Sequence, residues 1–118
     1  MRQHMLHHMR LRPEILEKVK SGKKTLELRI YDEKRRKIRL GDEIEFSDMN
    51  EIGKKARVRV AGLLRYGKFS DLIQDMPAAY LGYKESEKDY LKASMYEIYT
   101  PEEEAECGVL GIRMRLVG

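Results

Sequence analysis

The amino-acid sequence predicts an α+β domain: a small closed or nearly closed β-barrel of about five strands, with four short helices around it. Several stretches alternate apolar and polar residues, which is the pattern of a half-buried strand. Gly62 interrupts the longest of these stretches and indicates a bulge or bend, which is common where a sheet closes on itself. Helix start and stop signals separate the strands. An open ferredoxin-like sheet is the competing architecture, because alternation alone does not distinguish the two.

The first part of the chain predicts a strand, a helix and a second strand in turn. Residues 5–11 alternate with a two-residue period and predict the first strand. Pro13 suits the first turn of a helix, and Gly22 suits the position just after a helix end, so residues 13–21 predict a short helix. In residues 24–31 the apolar side chains share one face and the polar ones the other. This pattern predicts a strand with one buried face.

Two further strands are predicted in the middle of the chain, after a basic stretch. Gly41 and Asp42 form a turn signal, and residues 43–47 alternate directly after it. Residues 55–65 are the longest strand candidate, with apolar residues on one face and arginines on the other.

The last third of the chain predicts three helices and a final strand. Residues 70–75 and 86–95 carry apolar residues at helical spacing. Thr100 and Glu103 form a capping box around the start of the third of these helices. Residues 109–117 alternate again and predict the last strand.

Length and composition predict one cytosolic (cytoplasmic) domain that covers residues 1–118. A chain of 118 residues is close to the commonest domain size. Its single cysteine, Cys107, excludes an intrachain disulfide and cysteine-based zinc sites, and we expect a buried, inert thiol. No apolar run approaches the ~20 residues of a membrane span, and the N-terminus lacks a hydrophobic stretch of the signal-peptide type.

The charge of the chain supports two interpretations. Charged residues make up 37% of the sequence, against about 25% in an average globular domain. The 24 Lys and Arg and the 20 Asp and Glu leave a net charge of +4, and the isoelectric point is about 9.2. A basic isoelectric point is typical of nucleic-acid binders. Dense mixed charge is equally typical of thermophilic proteins, so composition leaves both interpretations open.

Four residues form the first candidate site: Gly22, Lys24, Glu27 and Arg29. Glu27 and Arg29 are two apart in a predicted strand, so both leave the same face, and Lys24 lies at the start of that strand. A carboxylate between two cations stays ionised and orients the guanidinium. Such a cluster suits a ligand with an acceptor-rich edge, a phosphate or a nucleobase. The alternative is an exposed ion pair that contributes about 0–1 kcal/mol.

The same four residues match the G-x-K-x-x-E-x-R signature of the ASCH domain family, which this chain resembles over residues 9–117. The agreement extends to the helix end SGKKT, the strand LELRIYD, the stretch GDEIEF and the tail CGVLGIRMRLV. The resemblance implies a PUA-like β-barrel of five to six mostly antiparallel strands flanked by short helices. It also implies that the motif lines a cleft between the barrel and a helix. Because family members are proposed RNA binders, it implies an RNA or nucleotide-like ligand there.

A hydrolase is the alternative function. The resemblance also implies this alternative, because some small ASCH proteins are amidohydrolases that remove acyl groups from modified cytidine nucleosides. Those proteins use a lysine of the motif, a threonine near it and a distant glutamate. Lys24 matches the lysine, whereas Glu27 stands where those proteins have the threonine, and Thr25 lies at a different offset. For an enzyme acting on an acylated nucleoside or on RNA, the catalytic candidates are therefore Lys24, Thr25 and Glu27.

Tyrosines are the second candidate feature, since five of the seven lie between residues 80 and 99. Aromatic faces beside cations stack the bases of single-stranded RNA, at about 1–3 kcal/mol per base. Tyr96 and Tyr99 rank first, because they lie nearest the family-like tail. The alternatives are rings that pack helices on the barrel, or a protein-interaction surface. The five are Tyr80, Tyr83, Tyr90, Tyr96 and Tyr99.

Basic residues are the third candidate feature. Residues 34–39 contain five cations, among them Arg35, Arg36 and Lys37. Further basic side chains are predicted on outward strand faces: Arg57, Arg59, Arg65, Lys68, Arg113 and Arg115. If the arginines of the two longest strands are neighbours, they form a stripe for a phosphate backbone. The alternative is that neighbouring glutamates pair with them.

Three histidines near the N-terminus, His4, His7 and His8, would bind a metal only if they converged. In a strand His7 and His8 face opposite ways, and no carboxylate follows closely. We therefore predict neither a metal nor another cofactor, and favour a frayed N-terminal arm.

Overall fold

A computed structural model describes residues 3–117 and shows five strands and four α-helices within that range. The strands are β1 (Leu6–Leu11), β2 (Leu26–Ile30), β3 (Glu43–Asp48), β4 (Lys55–Tyr66) and β5 (Val109–Leu116). The helices are α1 (Pro13–Lys20), α2 (Phe69–Asp75), α3 (Lys88–Met95) and α4 (Pro101–Cys107). Short 3₁₀ turns connect several of them. The predicted α+β class and element order are confirmed.

All five strands belong to one curled sheet in the order β1-β3-β4-β5-β2. β1 and β3 are parallel, and the other neighbouring pairs are antiparallel. The sheet is a half-barrel, since β1 and β2 are its two edge strands and have no ladder between them. The predicted small, mostly antiparallel barrel flanked by helices is confirmed, with an opening between β1 and β2.

Two apolar cores lie on opposite faces of this sheet. The inner core fills the half-barrel together with α1, and includes Leu16, Val19, Ile44, Phe46, Val58, Leu110 and Ile112. The outer core lies between β2 and helices α2 and α3, and includes Leu26, Leu28, Ile30, Phe69, Leu72 and Ile73. As a result both faces of β2 are covered, whereas the alternation of apolar and polar residues predicted one solvent-exposed face. The polar face of β2 lies on the inside, next to Leu110 and Ile112 of β5.

A bulge in β4 reverses which residues face inward. The register with β5 shifts between Val60 and Gly62, so Val58 faces the inner core before the bulge and Leu63 faces it afterwards. Arg65 therefore lies opposite Leu110, on the inner face. The outward orientation predicted for Arg65 is wrong, because one extra residue moves every later side chain to the other face.

The N-terminal strand is held by a buried carboxylate. Asp42 is fully buried, its Oδ2 lies 2.8 Å from His7 Nε2, and its oxygens accept the backbone N–H groups of Met5 and Arg39 at 3.0 Å. His7 and His8 thus lie in β1, facing opposite ways, rather than in a frayed arm. Within residues 3–117 no group of three metal-ligating side chains converges, and no helix is long and apolar enough to cross a membrane.

Candidate functional site

A cleft of about 940 Å³ lies where the half-barrel is open, between the edges of β1 and β2. Side chains of β1, β2 and α1 line its floor, and the segment from Leu81 to Tyr99 lines its other wall. The volume is at the upper end of ordinary small-molecule sites, about 300–1,000 Å³. Three of the four motif residues, Lys24, Glu27 and Arg29, face into it.

These three side chains form a nearly buried ion cluster. Glu27 Oε1 lies 3.2 Å from Lys24 Nζ and accepts the Leu28 backbone N–H, while Oε2 accepts Arg29 Nε at 2.8 Å. Arg29 Nη2 lies 2.8 Å from the same Oε2. Lys24 is 8% exposed and Glu27 4%, and Glu27 lies on the inner face of the half-barrel, opposite Ile112 of β5. The predicted alternative of an exposed ion pair does not describe this cluster.

Electrostatics keep the cluster ionised. Burial by itself would raise the pKa of Glu27, but the charges and hydrogen bonds of Lys24 and Arg29 outweigh it and hold that pKa below its ordinary value. Burial would likewise lower the pKa of Arg29, and the adjacent Glu27 carboxylate raises it instead. Glu27 is therefore a carboxylate at neutral pH, and it orients both cations.

Two cations of the cleft also reach the backbone of the opposite edge strand. Arg29 Nη2 donates to the Arg10 carbonyl at 2.9 Å, and Lys34 Nζ donates to the His8 carbonyl at 2.8 Å. These contacts bridge the opening that the missing β1–β2 ladder leaves. Arg35 also lines the cleft; its Nη1 donates to Asp32 at 2.7 Å, and its buried Nε has no partner within residues 3–117.

Three tyrosines line the cleft: Tyr83, Tyr90 and Tyr99. Tyr99 stacks on Phe69 with ring centres 5.3 Å apart, so the outer core fixes its ring. The Lys18 ammonium lies 3.4 Å from the centre of the Tyr83 ring. Tyr90 is 66% exposed, which leaves a large free aromatic surface beside the cations. Tyr83 and Tyr90 carried no sequence signal beyond the tyrosine-rich stretch itself.

The structure places the other tyrosines outside the cleft. Tyr96 donates its hydroxyl to the buried Glu104 carboxylate at 2.8 and 3.0 Å, and Glu104 Oε2 accepts the Phe69 backbone N–H at the start of α2. Burial and this carboxylate raise the pKa of Tyr96. Tyr80 packs under Arg113, whose guanidinium carbon lies 4.8 Å from the ring centre. Both rings have positions that packing explains.

The outward arginines form a charge ladder rather than a free stripe. Arg57 and Arg59 on β4 pair with Glu45 and Glu43 on β3 at 3.0 and 2.9 Å. Arg115 lies opposite Arg59 in the β4–β5 register, so these two arginines are neighbours on adjacent strands. The alternative prediction, pairing with glutamates, applies to Arg57 and Arg59.

The remaining candidates have structural positions of their own. Gly22 has a φ of +77° after α1, a conformation that favours glycine. Thr25 lies at a separate depression of about 280 Å³, together with Lys24 and Arg115. Cys107 is half-buried against the outer core, so it is less enclosed than predicted.

The motif and both edges of the cleft fall within a stretch that matches a known family. The family model for the ASCH domain matches residues 9–109. The chain belongs to the ASCH domain family. ASCH domains are generally thought to bind RNA. The match includes the whole Gly22-to-Arg29 motif, so the family predicted from those residues is confirmed.

Solved structures of other proteins have the same fold. The chain is 33% identical to the hypothetical protein PH0355, with a TM-score of 0.83, covering 96% of this chain and 100% of that one. Protein PF0455 from Pyrococcus furiosus is 31% identical, with a TM-score of 0.72 and coverage of 96% and 98%. ASCH from Zymomonas mobilis is 15% identical with a TM-score of 0.61, covering 93% of this chain and 66% of that one, and supports the fold alone. Among curated proteins no match was found.

Proposed function

We propose that this ASCH domain binds RNA and holds a single-stranded segment in the cleft between β1 and β2. One observation carries the proposal: a pre-oriented Lys24–Glu27–Arg29 cluster faces a cleft that also presents aromatic rings. Cations beside aromatic faces are the combination that single-stranded nucleic acids require.

The cluster has hydrogen-bond donors to spare and no free acceptor. Arg29 uses Nε and Nη2 on Glu27 and Arg10, and within residues 3–117 its Nη1 has no acceptor. Lys24 has three N–H groups, of which Glu27 receives one. A ligand that enters this site must therefore supply acceptors, as phosphate oxygens and nucleobase carbonyl groups do.

The same geometry disfavours the hydrolase alternative. A general base is most effective when its pKa lies near the working pH, whereas the pKa of Glu27 is held below its ordinary value. Thr25, the candidate nucleophile, does not line the large cleft. Glu27 is thus better suited to orienting the two cations than to proton transfer.

Removing one cation of the cluster tests the proposal. We expect Lys24→Gln to weaken binding of single-stranded RNA about tenfold or more, because a charge-assisted contact contributes about 1.5–3 kcal/mol. Fluorescence anisotropy at two salt concentrations measures the effect, and thermal unfolding shows that the variant folds. Lys54→Gln/Lys55→Gln is the control, since those two lysines pair with Glu51 and Glu45 and neither of them lines the cleft. Equal affinities of both variants at both salts would contradict RNA binding in the cleft.

Tyrosine variants test the stacking part of the proposal separately. We expect Tyr90→Ala to cost about 1–3 kcal/mol of RNA affinity, because an exposed ring in the cleft is free to stack on a base. Tyr96→Phe should instead leave RNA affinity unchanged and lower the midpoint of thermal unfolding, since its hydroxyl bonds Glu104. If Tyr96→Phe weakens RNA binding while Tyr90→Ala does not, the bases stack elsewhere.

A further inference from the structure

A second basic group lies beyond the end of the cleft and is built on Tyr31. The guanidinium carbon of Arg65 lies 3.6 Å from the centre of the Tyr31 ring, and that of Arg36 lies 4.9 Å from it. Arg36 Nε also donates to the Tyr31 carbonyl at 3.3 Å. We call Tyr31, Arg36 and Arg65 the Tyr31 group. Within residues 3–117, none of the three lines the cleft.

Strand register makes the Tyr31 group continuous with the motif face. Arg65 on β4 and Arg29 on β2 both lie opposite Leu110 of β5. Their backbones are therefore two strand spacings apart, about 10 Å. Tyr31 follows Arg29 by two residues, so the two side chains leave the same side of the chain. The β4 bulge is what moves Arg65 to this inner face.

The chemistry of the Tyr31 group suits phosphate. When a guanidinium stacks on an aromatic ring, its flat face contacts the ring. Its N–H donors point outward in the guanidinium plane and stay free to bind an acceptor. Both arginines are exposed, and no ion pair between described side chains involves either of them. Arg57 and Arg59, in contrast, are neutralised by glutamates on β3. The stacked pair is thus oriented for an external anion.

A short turn joins the Tyr31 group to the cleft. In the segment 34–37, Lys34 and Arg35 line the cleft, whereas the next residue, Arg36, lies over Tyr31. An RNA strand that passes over this turn would meet cations on both sides of the turn.

We propose that Arg36 and Arg65, held on Tyr31, bind backbone phosphates of the RNA strand where it leaves the cleft. This inference rests on the proposed function and extends it to RNA longer than the cleft holds. Phosphates rather than bases are the ligand, because two guanidinium groups already lie over the Tyr31 ring, the only ring of this group.

The length of the RNA separates this site from the cleft. Labelled single strands of about four and about twelve nucleotides, within the range that OB-folds bind, are titrated by anisotropy over a range of salt concentrations. We expect Arg36→Gln/Arg65→Gln to weaken binding of the longer strand several-fold and leave the shorter one unchanged. The slope of log affinity against log salt should fall by about 0.7 for each phosphate that the variant no longer neutralises. Arg36→Lys/Arg65→Lys, which keeps the charge without the planar fork, should lie between the wild type and the glutamine variant.

The controls distinguish the two proposals. Lys54→Gln/Lys55→Gln removes the same charge far from Tyr31 and should bind both strands as the wild type does. If the Arg36→Gln/Arg65→Gln variant matches this control on the longer strand, the Tyr31 site is overturned. Equal weakening of both strands also overturns it as a separate site. Lys24→Gln on the shorter strand tests the cleft alone. If it weakens that binding while Arg36→Gln/Arg65→Gln leaves binding of the longer strand unchanged, only the Tyr31 proposal is overturned.

Discussion

Replacing Glu27 with alanine is expected to lower the free energy of unfolding by about 3–5 kcal/mol, the usual cost of leaving buried charges without their partner. Glu27 is the only carboxylate that contacts Lys24 or Arg29 in the part of the chain that the structure describes. Without it, two nearly buried cations repel each other and the Leu28 N–H loses its acceptor. Urea unfolding measures the change. Glu27→Gln, which keeps the shape and one acceptor, should lose less.

Glu97→Ala is the matched control for this prediction, since Glu97 is an exposed carboxylate of the same cleft. Its stability should stay close to that of the wild type, as is usual for exposed positions. Equal urea midpoints for Glu27→Ala and Glu97→Ala would show that the buried cluster does not stabilise the fold.

The same carboxylate gives the fold a pH dependence of known sign. The pKa of Glu27 is lower in the folded chain than its unfolded reference value of 4.5. Its contribution to stability is therefore complete above pH 4.5 and is lost as the pH falls through the lowered folded pKa. The wild type should lose more stability than Glu27→Gln over this acidic range. Parallel slopes of stability against pH in the two proteins would contradict the lowered pKa.

The second large effect is expected at Asp42, where alanine should also cost about 3–5 kcal/mol. The substitution leaves the N–H groups of Met5 and Arg39 and the ring of His7 without their common acceptor, in a fully buried position. Because these groups attach β1 to the turn before β3, the loss should fall on the N-terminal strand. Urea unfolding measures the total, and amide hydrogen exchange in β1 shows where it occurs.

Asp89→Ala provides the comparison for Asp42, because the Asp89 side chain is fully exposed at the start of α3. We expect that variant to unfold at nearly the wild-type urea concentration. Unchanged hydrogen exchange in β1 of Asp42→Ala would mean that this carboxylate does not anchor the strand.

Much of the fold could be predicted because its signals are local. The capping box at Thr100 and Glu103 forms as predicted, with the Glu103 N–H donating to the Thr100 hydroxyl at 3.1 Å. The helix start predicted at Pro13 and the strand predicted from the alternation in residues 109–117 likewise correspond to α1 and β5. Each of these patterns depends on neighbours a few residues away, which the sequence displays directly.

The candidate site was predictable in its motif and not in its surroundings. Lys24, Glu27 and Arg29 lie together because strand geometry places side chains two apart on one face. The tyrosine ranking had no such support, because the direction of each ring depends on how α3 and its flanking turns pack. Tyr90 therefore lines the cleft while Tyr96 bonds Glu104. The role of Asp42 was equally hidden, since a Gly-Asp pair signals a turn whether or not the carboxylate is buried.

The sequence by itself determined the order of strands and helices and the ionic motif, because local periodicity, caps and spacing encode them. The family followed from the resemblance of the Gly22-to-Arg29 motif and its context to the ASCH signature. Only the tertiary structure decided that the polar face of β2 is buried, since pairing with β5 places it on the inside of the half-barrel beside Leu110 and Ile112. The tertiary structure also decided that Arg65 joins Arg36 on Tyr31. The physical reason is that one extra residue at the β4 bulge reverses the facing of all that follow. In the sequence, Gly62 indicates a bulge or bend, and strand pairing decides that the register shifts there by one residue.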